Sequence, residues 1–158
     1  MQFTPINLTK SVLVMTADCL PVLFTNKQGT EVAAAHAGWR GLCDGVLEET
    51  VKCFQSAPEE IIAWFGPAIG PNAFQVGKEV IAQFMAFDPI AETAFRPDPN
   101  ESGKYLGNLY QIATQRLNKL GITQIYGGEH CTFTEKETFF PIVETQNWPN
   151  GKSNLDKK

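Results

Sequence analysis

Hydrophobic residues first come in short blocks and then, from about residue 39, at helical spacing. Residues 11–15 (SVLVM) and 20–24 (LPVLF) are apolar and rich in β-branched types, which predicts two buried strands. Asn26-Lys27-Gln28-Gly29 reads as a turn, and residues 31–35 (EVAAA) as a strand running into His36. Beyond Trp39, the positions Leu42, Cys43, Val46, Leu47, Thr50, Cys53 and Phe54 form one apolar stripe. That stripe predicts a single helix ending before Ala57-Pro58. Residues 61–65 predict another strand, followed by Gly66-Pro67-Ala68-Ile69-Gly70-Pro71, a stiff loop able to wall a pocket. Val76, Val80, Ile81, Phe84 and Met85 outline a second helix; Leu109, Ile112, Ala113, Leu117 and Leu120 outline a third, with Gly121 as its cap. Residues 122–126 and 131–134 predict two more strands.

Strands interleaved with helices imply an α/β (α+β) fold: a layered sandwich with a mixed β-sheet flanked by helices, in a single domain. The periodicity stops near Pro141. Residues 141–158 are predicted to be an exposed, poorly ordered tail, which leaves 1–140 as the folded core.

Composition narrows the function. The chain has 158 residues, long enough to bury a core without staples. Thirteen basic against 17 acidic residues give a net charge of −4, which argues against nucleic-acid binding. No apolar run is long enough for a membrane helix, and residues 1–10 lack a signal peptide's pattern. The four cysteines lack secreted-domain spacing and are read as reduced thiols of a cytoplasmic protein; without a CxxC pair, a zinc finger is disfavoured. Two histidines cannot supply several fully histidine-ligated copper centres.

Candidate chemistry begins at Thr16-Ala17-Asp18-Cys19, a polar step between apolar strands. Cys19 reads either as a small core residue or as a reactive thiol, and the neighbouring Asp18 calls for a polar partner. His36-Ala37-Gly38-Trp39-Arg40-Gly41 sits where a strand ends and a helix begins. Strand ends carry ligand sites in α/β domains, helix starts attract anions, and Arg40 adds a bidentate donor. A thiolate at 19 and an imidazole at 36 can hold a soft or borderline metal, or act as nucleophile and base. Glu129 and His130 are conceivable ligands, but no pattern directs them towards Cys19. Cys43 and Cys53 lie on the helical stripe and are expected to pack.

TADCLPVLF (16–24), AAAHAGWRGL (33–42), GPAIGP with the following F, VG and EV (66–80) and KYLGNLYQIATQRLNKLGI (104–122) together resemble the bacterial laccase-domain family. Its members are called multicopper polyphenol oxidoreductases, purine nucleoside phosphorylases or peptidoglycan editing factors. The resemblance runs from about residue 11 to 140. It implies a zinc or copper ion held by Cys19 and His36, with a third ligand, a histidine, upstream of the ADC motif. The chain is expected to lack that histidine, to be a family core trimmed at both ends, and to draw a further ligand from His130, Asp18 or a neighbouring chain. Gln75 stands where the family usually has glutamate, and Asn108 where it often has aspartate.

The activity implied is metal-dependent purine nucleoside phosphorolysis, with adenosine deamination as a side activity and copper-dependent polyphenol oxidation as a further capability. Cys19, His36 and Arg40 would be catalytic, and Gly38, Trp39 and Arg40 would bind substrate or phosphate. Partners would be small molecules (nucleoside, phosphate or phenolic compound), on a monomer or homodimer without nucleic acid or membrane. The alternatives are a cysteine hydrolase using Cys19 and His36, and an inactive truncated fragment.

Overall fold

A computed structural model describes residues 16–139. The predicted strand at 11–15 and the predicted tail at 141–158 lie outside the described residues. Two strands, β1 (Leu20–Asn26) and β2 (Val32–Ala37), form an antiparallel hairpin. Its turn is fastened by Asn26, whose buried Oδ1 accepts from the backbone N–H groups of Thr30 and Glu31 at 2.8 and 3.1 Å.

After β2 the chain forms α1 (Trp39–Asp44) and α2 (Val46–Lys52), then β3 (Ile61–Phe65). The single helix expected over this stretch is two helices. Gly45 adopts φ +96°, a left-handed conformation that closes α1 and opens α2. Cys53, expected to pack, follows α2 and is exposed.

Next come β4 (Gln75–Val76), α3 (Lys78–Phe87), β5 (Phe95–Pro97), β6 (Tyr105–Gly107), α4 (Leu109–Lys119) and β7 (Gln124–Gly127). A last short helix, α5 (Lys136–Phe139), follows. The strand expected at 131–134 is absent: Cys131 makes an isolated bridge to Ala68, and the chain then turns into α5.

The main sheet has the order β2-β1-β3-β7, antiparallel except for the parallel pair β3 and β7, so it is mixed. A three-stranded sheet, β4-β6-β5, accompanies it. One face of the main sheet carries Leu20, Val22, Phe24, Ala35, Ala63 and Phe65, all buried. The small alanines of β2 let α2 pack closely on it. Leu42, Leu47, Ile112 and Leu117 from the helices complete this core. The opposite face presents Leu23, Trp64 and Tyr126 in one cross-strand row, each well exposed. The result is the single-domain mixed α/β layering that the periodicity predicts.

Candidate functional site

The start of β1 and the end of β2 meet at one edge of the main sheet. His36 pairs with Pro21, and the same register carried two residues further puts Gly38 opposite Cys19. Side chains alternate along a strand, so Cys19, Pro21 and His36 share one face. Cys19 and His36 are diagonal neighbours, a relation with a backbone separation of about 7 Å. Leu20 and Ala37, the adjoining pair in the register, point the other way into the core. A Cβ added at Gly38 would lie 3.1 Å from the Cys19 Sγ, so the absence of a side chain there makes room for the thiol. Gly38 has φ −64°, an ordinary value, and the requirement is therefore steric.

α1 starts directly after this corner. Gly38 is its N-cap without a side-chain cap, and its carbonyl accepts from Leu42 N at 2.8 Å. Arg40 is exposed in the first turn, with its guanidinium 4.5 Å from the centroid of the Trp39 ring. Trp39 thus presents its ring to Arg40, a contact that orients the charge.

The 129–132 segment, which no sequence pattern directed towards Cys19, is drawn to it. Thr132 donates from Oγ1 to Asp18 Oδ1 at 2.8 Å, and Ile69 N–H donates to the Asp18 carbonyl at 2.9 Å. Asp18 therefore has its polar partner, supplied from 114 residues away. Tyr110 accepts from Ala68 N–H at 2.8 Å and donates to the His130 carbonyl at 2.7 Å, clamping the Gly-Pro loop to this segment. Burial pushes the Tyr110 phenol up. Gly70 N–H donates to the Cys131 Sγ at 3.2 Å. Burial works to raise the Cys131 thiol, yet hydrogen bonds from Thr134, Gly70 and Phe133 outweigh it and hold the thiol below its usual range. Glu135 accepts from Cys131 N–H at 2.7 Å and meets His130 Nδ1 at 3.2 Å, and both contacts lower its pKa. The contacts of Asp18, Tyr110 and Gly70 join residues far apart in sequence, and no local periodicity announces them.

The donor chemistry of Cys19 and His36, one sulfur and one nitrogen on one face, suits zinc or copper. Among the described residues, no group of three or more His, Cys, Asp and Glu side chains is arranged to hold a metal. Asp18 Oδ1 accepts from Thr132, and His130 Nδ1 meets Glu135. The register therefore places two side chains with metal-donor chemistry, Cys19 and His36, on one face of the sheet edge.

Residues 7–151 match the family model described as multi-copper polyphenol oxidoreductase laccase. The chain belongs to this laccase family. A purine nucleoside phosphorylase of Haemophilus influenzae is 75% identical over 81% of this chain and 52% of its own length. The Escherichia coli purine nucleoside phosphorylase YfiH is 65% identical over 80% of this chain and 51% of its own. A crystal structure of a Neisseria meningitidis protein superposes with a TM-score of 0.75 at 50% identity, covering 78% of this chain and 50% of that one. The chain spans about half the length of the curated relatives it matches.

Asn108 and Gln75 have clear local roles in this laccase-family chain. Asn108 caps α4, its side chain accepting from Gln111 N–H at 3.1 Å, as an aspartate would. Gln75 donates from Nε2 to Asp98 at 2.7 Å and to Glu101 at 3.0 Å, so a glutamate here would face two carboxylates. Cys43 is partly buried, and burial raises its thiol pKa.

Proposed function

We propose that this chain acts as a metal-dependent purine nucleoside phosphorylase, with adenosine deamination as a side activity and copper-dependent polyphenol oxidation as a further capability. The observation that carries the reading is the convergence of Cys19 and His36 on one face of the sheet edge, directly before Arg40. The names of the two relatives described above support the nucleoside substrate.

In phosphorolysis, a phosphate oxygen attacks the anomeric carbon of the ribose. The glycosidic bond breaks, the free base leaves with a proton, and ribose 1-phosphate forms. Arg40 holds the phosphate through its planar fork, and Trp39 steadies the guanidinium. The bare Gly38 backbone leaves room for the Cys19 thiol beside the start of α1. Cys19 and His36 would hold a zinc or copper ion, which would supply Lewis-acid chemistry.

A phosphate-dependent adenosine cleavage assay tests this. The wild-type chain releases adenine only when phosphate is present. Cys19→Ala lowers kcat by about 100-fold or more, and Arg40→Ala chiefly raises the KM for phosphate. Turnover that survives chelation and dies on thiol alkylation would instead identify a cysteine hydrolase. Copper-dependent phenol oxidation without base release would remove the phosphorylase.

A further inference from the structure

A separate cleft opens at the carboxyl ends of β3 and β7, the parallel pair of the main sheet. Ligands of α/β sheets favour such ends. Its volume is about 240 Å3. Trp64 forms one wall, with an exposed ring on the same face of the sheet as His36. Gly127 and Gly128, at φ +83° and +87°, carry the other wall close against the end of β3. A side chain at Gly127 would collide with the Phe65 carbonyl, so this approach depends on glycine. Glu129 and His130 line the same cleft.

These walls are built before any ligand arrives. Tyr110 fixes the His130 backbone through the 2.7 Å hydrogen bond to its carbonyl. Glu135 engages His130 Nδ1, and the Phe139 ring packs edge-on against the imidazole at 5.5 Å. A preorganised wall saves the ordering cost of binding. A broad aromatic face opposite a carboxylate and an imidazole suits a planar ring with both donor and acceptor edges. An exocyclic amine would donate to Glu129, and a ring nitrogen would meet His130 Nε2. Two strand spacings, about 10 Å, separate β2 from β3. That distance matches the long axis of a nucleoside, with its sugar crossing Pro21 towards Cys19 and His36.

We propose that this cleft is the base-binding subsite, in which a purine stacks on Trp64 and is read at its edge by Glu129 and His130. The identity of the ring rests on the phosphorylase reading; the existence of the subsite rests on the cleft.

Calorimetric titration of the whole chain with adenine, and with catechol as a competing ring, tests the subsite. Wild type binds adenine more tightly than catechol. Trp64→Ala weakens adenine binding at least about fivefold, the low end of what one base–aromatic stack contributes. Trp64→Phe retains most of the affinity, and His130→Gln lowers it. Trp64 is exposed, so its replacement leaves the core intact. Three results overturn the subsite: unchanged adenine affinity in Trp64→Ala, tighter binding of catechol than adenine, or no binding of adenine to wild type. Trp64-dependent adenine binding without phosphorolysis would remove the proposed activity and leave the subsite standing. Turnover with Trp64-independent binding would remove the subsite alone.

Discussion

At the scale of single residues, the site depends on which side chains the backbone leaves out. Gly38 faces the Cys19 thiol at a distance where a methyl group does not fit without a shift. Gly38→Ala is therefore expected to displace the thiol while leaving the backbone unstrained, since φ is −64°. The variant should keep its melting temperature within a few degrees and change the rate of Cys19 alkylation several-fold; an unchanged rate would show that the thiol does not depend on this gap. Cys19, His36 and Arg40 were legible as candidates because each lies at a strand end or helix start within its own short motif. The partner of Asp18 was not. Thr132 lies 114 residues away, and a threonine after a cysteine carries no local signal that it is buried against a distant carboxylate. Cys131 was illegible for the same reason, because its thiol is conditioned by Gly70 and the turn that follows it.

At the scale of elements, strands of five or more residues and the two later helices were readable from period alone. The break between α1 and α2 was not, because the apolar stripe runs through it without interruption. Gly45 makes the break through its left-handed backbone. A Cβ there would meet only Glu48 Oε2, at an ordinary 3.5 Å, so the cost of Gly45→Ala is conformational. That substitution should destabilise the chain by about 1–2 kcal/mol in denaturant titration, the usual penalty for an L-residue held left-handed. A loss below a few tenths of a kcal/mol would mean that the helices can merge. The β4-β6-β5 sheet escaped the sequence reading for a simpler reason: its strands are two or three residues long, too short for alternation to register.

For the whole molecule, a stabilising carboxylate network and the proposed site lie at opposite ends of the β1–β2 hairpin. At the end away from Cys19, Glu31 joins the hairpin to the segment after α2. Burial works to raise its pKa, but donation from the Ser56 hydroxyl, from the Gln55 and Ser56 backbone and from Asn26 outweighs it and lowers the pKa. A carboxylate with a depressed folded pKa stabilises fully above its unfolded pKa, near 4.3. That contribution is lost as pH falls through the folded value. Glu31→Gln should therefore lower the melting temperature at pH 7 and show a shallower loss than wild type between about pH 5 and pH 3. Parallel acid limbs would show that Glu31 does not contribute. The helical layer is tied separately by Arg116, which is buried, pairs with Glu48 at 3.1 Å and lies over the Phe87 ring at 3.6 Å. The proposed ligand site is the Cys19 corner.

That corner is tested most directly by metal content. Mass spectrometry of the purified chain after reconstitution with zinc or copper should find about one ion per chain, lost on Cys19→Ala and on His36→Ala alike. Full metal content in both variants, or none in wild type, would contradict the assignment of one shared ion to this thiol and this imidazole.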